Sequence, residues 1–164
     1  MRIEHSAIIK QIQEERLGNV TFSRYDLATG VETIEQVDTL LKEALQFLLL
    51  CHQSEIETIY GSHEERHQIY LITLQFKDHS LCNLFINASP TNQKNYQKQI
   101  EIVGTQGLYQ YNSADQRGFA SNFILPGNYQ PDYQETSLEK ISLSNLIFQI
   151  KQSIKNNETI TFGG

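Results

Sequence analysis

The sequence has no long hydrophobic run, which argues against a membrane-spanning helix. Its longest apolar stretch covers only residues 47–51, whereas a helix that crosses a bilayer needs about 20 apolar residues. Residues 1–5 are polar and lack the apolar segment of a secretory signal peptide. We therefore expect a soluble protein of the cytoplasm.

Cysteine and basic charge are also scarce. The two cysteines, Cys51 and Cys82, lie far apart in apolar surroundings, which predicts reduced core thiols and not a disulfide framework. Lys and Arg number 13 against 19 Asp and Glu, so the net charge is -6. This charge repels phosphate backbones and anionic membrane surfaces. We therefore expect neither nucleic acid nor a membrane as a partner.

The chain does contain enough apolar material for one core, with 39% hydrophobic residues in 164, and we expect residues 1–164 to form a single domain. Helical spacing of apolar residues appears over 6–17, from a capping box at Thr29–Glu32 to about residue 50, and over 142–155. Strand-like segments cover 19–27, 55–61, 67–76, 80–88, 97–103 and 107–111. Residues 118–133, rich in Asn, Gly, Pro and Tyr, predict a surface loop.

Short turns between successive strands favour antiparallel pairing. The sequence therefore predicts an α+β fold, an open, predominantly antiparallel sheet with helices packed on one face. In segment 67–76, alternate positions point to opposite faces, with Tyr70, Ile72, Leu74 and Phe76 on one and Ile69 and Leu71 on the other. Because both faces carry apolar side chains, we expect a second copy of the chain to cover the helix-free face, as in a homodimer.

The motif His63-Glu64-Glu65-Arg66-His67 matches the H-E-x-x-H pattern of zinc hydrolases. That pattern needs a helix, which places both histidines on one side of the metal. Here strand-like segments flank the motif and no third ligand follows at a fixed spacing. The interpretation that we prefer is a solvated hairpin connection, with a zinc hydrolase as a remote alternative.

For the other three histidines the sequence predicts ordinary structural positions. His5 and His79 read as exposed residues of a helix start and a turn. His52 follows the long helix, where an imidazole suits the negative end of the helix dipole. None of them stands beside a serine or cysteine in a nucleophile motif.

Three stretches of the chain resemble the C-terminal domain of the glucose–fructose oxidoreductase, inositol dehydrogenase and MocA (Gfo/Idh/MocA) family. Residues 8–25 are similar to its helix, Gly and strand, and residues 45–60 to its long helix and following strand. The most specific stretch, 99–108 (Gln-Ile-Glu-Ile-Val-Gly-Thr-Gln-Gly-Leu), is close to its Ile-x-Ile-x-Gly-Thr-x-Gly turn. The resemblance implies the dihydrodipicolinate reductase-like fold of that C-terminal domain.

The resemblance also implies a division of labour. In such enzymes a Rossmann domain binds NAD or NADP, a Glu-Lys-Pro segment supplies the catalytic lysine, and an Asp-x-x-x-His on the long helix exchanges a proton with the substrate. This sequence has neither Gly-x-Gly-x-x-Gly nor Glu-Lys-Pro, and Gln36 and Leu40 fall at the Asp and His positions. We therefore expect no catalytic residue, no cofactor-binding residue and no metal site in this chain.

The function that this resemblance predicts is a substrate-side and oligomerisation domain of an NAD(P)-dependent oxidoreductase acting on a sugar or polyol-like substrate, inactive alone and paired with a Rossmann domain. The alternative is a free-standing, non-enzymatic ligand-binding or assembly module derived from that domain. Five residues at the end of the first strand and the start of the long helix are candidate substrate contacts: Arg24, Tyr25, Asp26, Glu32 and Gln36.

Overall fold

A computed structural model describes residues 2–31, 33–90, 96–114 and 143–163. Three helices and seven strands occur in these ranges. In chain order they are α1 (Ile3–Gln13), β1 (Val20–Ala28), α2 (Ile34–His52), β2 (Ile56–Glu64), β3 (Ile69–Phe76), β4 (Leu81–Asn87), β5 (Gln97–Gly104), β6 (Leu108–Asn112), α3 (Leu143–Asn156) and β7 (Ile160–Thr161). The predicted loop at 118–133 lies outside the described residues.

The strands form one sheet of order β6-β5-β1-β4-β3-β2-β7. Only β1 and β4 pair in parallel, and the other neighbours in this sheet are antiparallel. The parallel pair sits at the centre because the chain leaves β1, crosses over through α2 and the β2–β3 hairpin, and returns as β4 beside β1. The predicted α+β fold with a predominantly antiparallel sheet is confirmed.

The helices pack on one face of the sheet, which we call the helix face. Strand alternation sends Ser23, Tyr25 and Leu27 of β1 to this face, where each is at most 1% exposed. The long helix α2 supplies most of the facing core. Its buried apolar residues recur at helical spacing and are Val37, Leu40, Leu41, Ala44, Leu45, Phe47, Leu48 and Cys51.

Helix α3 approaches strand β2 closely at Gly61. The Gly61 amide donates a hydrogen bond of 3.0 Å to Ser153 Oγ. A Cβ atom at Gly61 would lie 2.8 Å from Ile154 Cγ1. The absence of a side chain at this position therefore allows α3 to pack against the sheet.

The turn between β5 and β6 packs against the segment that connects α1 to β1. The Thr105 amide donates to the Asn19 carbonyl and the Gln106 amide to the Leu17 carbonyl, both at 2.9 Å. A Cβ atom at Gly104 would lie 2.1 Å from the Leu17 oxygen. The prediction of a tight turn between strands is confirmed, and its glycine permits this backbone approach.

The structure corrects several predicted boundaries. Helix α1 begins at Ile3 and ends at Gln13, earlier than the predicted 6–17. The capping box of α2 uses Thr33 and Gln36 instead of 29–32, because Thr33 itself is extended and the helix begins only at Ile34. Ile34, an apolar residue within the predicted long helix, is 66% exposed at the first turn of α2. Within the described ranges, no helix combines the length and the apolar character needed to cross a bilayer.

Candidate functional site

We call the face of the sheet opposite the helices the open face. Two of the candidate substrate contacts, Arg24 and Asp26, form an ion pair there. Arg24 Nη2 lies 2.6 Å from Asp26 Oδ2 on β1, with side chains 58% and 20% exposed. Glu101 of β5 stands opposite Arg24 in the strand register. The hydrogen bond and charge of Asp26, with a smaller contribution from Glu101, raise the pKa of Arg24.

Polar and apolar side chains of five strands surround this ion pair. They line shallow grooves on either side of β1, formed by Phe22, Leu71, Thr73, Asn83, Phe85, Gln97, Gln99, Glu101, Gln110 and Asn112. Leu71 and Leu81 are each 44% exposed. Among the described residues that line these grooves, one cation, two carboxylates and several amides, which can hydrogen-bond hydroxyl groups, lie among apolar side chains.

The structure does not bring all five candidate contacts together. Tyr25 is on the helix face with no exposed surface, so its ring belongs to the core. Gln36 caps α2, accepting at Oε1 a 3.2 Å hydrogen bond from the Thr33 amide. Glu32 lies outside the described residues. Only Arg24 and Asp26 share a surface that a ligand or a partner can reach, and their role as contacts stays a prediction.

The two positions that the resemblance equates with a catalytic Asp and His differ in environment. Gln36 is exposed at the start of α2. Leu40, one turn further on, is 1% exposed and part of the core. An aliphatic side chain in the core cannot exchange a proton, so α2 offers no acid or base at this position.

The motif His63 to His67 forms the end of β2 and the turn that leads to β3, not a helix. His63 stacks on Tyr70 with ring centroids 4.1 Å apart. His67 Nδ1 lies 2.8 Å from Glu64 Oε2, and the backbone amide of His67 is the largest cause that lowers the pKa of Glu64. The prediction of a hairpin connection is confirmed. Among the described residues, no group of three or more His, Cys, Asp or Glu side chains is placed to hold a metal.

His52 is the last residue of α2, which confirms its predicted position at the end of the long helix, and its ring is also part of the core. It is 5% exposed and stacks on Phe76 at 4.1 Å. Its ring nitrogens lie 2.7 Å from Ser23 Oγ and 2.8 Å from Ser80 Oγ. Ser80 Oγ in turn donates to Asp78 Oδ1 at 2.6 Å.

The hydrogen-bond directions among Asp78, Ser80, His52 and Ser23 follow from the Asp78 carboxylate at one end of this network. The Asp78 carboxylate only accepts, so Ser80 gives it the hydroxyl proton and accepts from His52 Nδ1–H. His52 Nε2 then accepts from Ser23. Burial lowers the pKa of His52 to about 4, and the neutral ring ties α2 to β1 and to the β3–β4 turn.

His5 is also buried, at 1% exposure, so its predicted exposed position is wrong. It lies with Glu4 beside Lys98 of β5, which has no exposed surface. Lys98 Nζ is 2.8 Å from Glu4 Oε1 and 2.6 Å from His5 Nε2. Burial, partly opposed by Glu4, lowers the pKa of Lys98 to about 8. No sequence motif marks this cluster, because its members are 93 and 94 positions apart.

The architecture first defines a class of fold: the seven-stranded sheet with helices on one face has the dihydrodipicolinate reductase-like α+β fold of solved oxidoreductase structures. One such structure is scyllo-inositol dehydrogenase from Lactobacillus casei with bound NAD(H) and scyllo-inositol (TM-score 0.62, 10% identity, 97% of this chain and 61% of that chain). Another is a myo-inositol dehydrogenase from Corynebacterium glutamicum (0.66, 9%, 99% and 62%). A third is myo-inositol 2-dehydrogenase from Lactobacillus plantarum (0.63, 10%, 98% and 62%).

These likenesses confirm, at the level of the fold, the resemblance predicted from the sequence. The chain spans about three fifths of the length of these solved structures. No protein-family model matches the sequence, and no curated protein matches it. At about 10% identity the fold is shared while individual side chains are not comparable.

Proposed function

We propose that this chain is the substrate-side and oligomerisation domain of an NAD(P)-dependent oxidoreductase that acts on a sugar or polyol-like substrate. The observation that carries the proposal is the fold likeness, which covers 97% of this chain but only 61% of an inositol dehydrogenase that holds NAD(H). In this proposal a Rossmann domain supplies the cofactor site, and this chain alone does not turn over. The domain acts in the cytoplasm, where its buried thiols Cys51 and Cys82 stay reduced.

A cofactor titration of the isolated chain tests the division of labour. We expect NADH or NADPH fluorescence to remain unchanged up to millimolar protein, because the sequence contains no Gly-x-Gly-x-x-Gly cradle for the pyrophosphate. As a positive control, the same titration is run with an intact inositol dehydrogenase. Saturable binding to the isolated chain in the micromolar range would contradict the proposal.

A free-standing, non-enzymatic ligand-binding or assembly module is the second candidate function. The buried Leu40 favours it, because this residue takes the position of the proton-exchanging histidine in the resembled family. An activity assay distinguishes the two candidate functions. In it, the chain is mixed with the Rossmann domain whose gene lies closest to its own gene in the same genome. Polyol-dependent reduction of NAD⁺ supports the oxidoreductase domain, and its absence together with polyol binding by the chain alone supports the module.

For either candidate we propose that a second copy of the chain covers the open face. Apolar side chains surround the Arg24–Asp26 ion pair there. Leu71 of β3 pairs with Phe85 of β4 near the centre of the sheet. A face with this mixture is typical of an interface between identical subunits.

Sedimentation equilibrium of Leu71→Asp tests this interface. We expect the self-association constant to fall at least about 10-fold, because the carboxylate loses water without gaining a partner. Ile34→Asp is the matched control: Ile34 is also exposed, but on α2, where an acid suits the helix N-terminus. Equal association of the two variants and the wild type would remove the open face from the proposal.

A further inference from the structure

The cluster beneath α1 has a hydrogen-bond arrangement that depends on the protonation of one histidine. Lys98 Nζ donates to Glu4 Oε1 at 2.8 Å and to His5 Nε2 at 2.6 Å. An ammonium group has only donors, so Nε2 of His5 must be unprotonated to accept. Lys98 also lies 5.0 Å from the ring centroid of Tyr25, whose electron-rich face favours the cation.

The groups that surround His5 offer little compensation for a second positive charge. Its ring stacks on Phe47 of α2 at 4.2 Å. The charged and titratable groups around His5 and its partners Glu4 and Lys98 come from the start of the chain, α2, β1, β5 and β6, and they are Arg2, Glu43, Tyr25, Tyr109 and Tyr111. Both carboxylates already hold a cation, Glu4 that of Lys98 and Glu43 that of Arg2.

We propose that Glu4, His5 and Lys98 form an acid-sensitive latch that releases the first turn of α1 from the sheet when His5 is protonated. Protonation turns Nε2 from an acceptor into a donor and puts two cations 2.6 Å apart in a buried site. His5 and Glu4 are both on the first turn of α1, so that turn leaves together with the imidazole. We expect the opening to be local, because the strand residues named around the cluster belong to β1, β5 and β6, which lie on one side of the sheet.

The direction of the pH dependence follows from where His5 takes up a proton. Burial, followed by the charge of Lys98, holds the pKa of His5 well below 6.5 while α1 is docked. Once α1 is open, the imidazole regains its ordinary pKa of 6.5. Opening therefore binds a proton below pH 6.5, and the opening constant rises by up to about 10-fold per pH unit, about 30-fold between pH 7 and pH 5. Lys98 stays charged in both states over this range.

Hydrogen exchange measured peptide by peptide tests the latch. After correction for the intrinsic pH dependence of amide exchange, we expect α1 to lose about 30-fold protection from pH 7 to pH 5, while amides of β4 lose much less. In His5→Gln the side-chain amide oxygen still accepts from Lys98 but does not titrate, so the loss in α1 should fall below threefold. His79→Gln, in an exposed turn, should behave as the wild type.

Three results would overturn the latch: α1 protection that does not change with pH, loss of protection in α1 and β4 by the same factor, or a His5→Gln variant that responds as the wild type does. Should His5→Gln fail to fold, Lys98→Met provides the second measurement. Without the ammonium group, burial still lowers the pKa of His5 but the adjacent cation is gone, so the loss of α1 protection between pH 7 and pH 5 should be smaller than in the wild type. A wild-type response of that variant would equally overturn the proposal.

Discussion

Acidification should destabilise the whole domain through His52, and the structure gives the magnitude. Its pKa is lowered from 6.5 to about 4 in the folded protein. The unfolded chain thus takes up a proton below pH 6.5, whereas the folded protein does so only near pH 4, and stability is lost as the pH falls through this window. Between pH 7 and pH 4.5 the loss from this one group is about 2.5 kcal/mol.

Urea unfolding at a series of pH values between 7 and 4.5 measures this loss. His5 contributes in the same direction, so the wild type should approach a slope of two protons, about 2.7 kcal/mol per pH unit. His52→Gln removes one of them and should approach half of that slope. The variant itself is also less stable at pH 7, because Gln cannot bond both Ser23 and Ser80 with the geometry of the imidazole.

His79→Gln serves as the control, because that ring is exposed in a turn, and its slope should equal that of the wild type. If His52→Gln retains the full wild-type slope, the argument that the buried neutral imidazole carries the acid sensitivity is wrong. A variant slope of zero would show instead that His52 accounts for all of it and that His5 does not contribute.

Two further changes probe the local packing, each by chemical denaturation. Gly104→Ala places a methyl group 2.1 Å from the Leu17 carbonyl oxygen, so we expect the free energy of unfolding to fall by about 3 kcal/mol. The control Gly163→Ala has nothing within 4 Å of its added Cβ and should leave stability unchanged. Equal stabilities of the two variants would contradict the close approach at Gly104. Thr33→Ala removes the acceptor of the Gln36 amide at the start of α2 and should cost about 1 kcal/mol; an unchanged midpoint would mean that the capping box does not contribute.

Much of the fold was predictable because it depends on local patterns. The alternation in 67–76 predicted β3, and the periodic leucines up to residue 50 predicted α2. The start of α2 was not predictable at this level, because Thr29-Gly30-Val31-Glu32 and Thr33 offer competing caps. Which one is used depends on how far β1 continues beside β4, and β4 lies about 60 residues further on.

The candidate site divides in the same way. Arg24 and Asp26 are accessible on β1, but Tyr25 between them is buried. Strand periodicity predicts that neighbours alternate between faces. It does not say which face the helices cover. Arg24, Tyr25 and Asp26 were therefore assigned to one site, although Tyr25 lies on the opposite face of the sheet from the other two.

By itself the sequence determined the class of fold, the turn at 104–107, the lack of a Gly-x-Gly-x-x-Gly motif and the aliphatic residue at position 40. Each of these depends on residue type or on spacing within a few turns or strands. Only the tertiary structure decided that His5, His52 and Lys98 are buried, because a polar side chain enters a core only when distant segments bring it hydrogen-bond partners. Those partners are up to 94 positions away in the chain, beyond the reach of any local pattern.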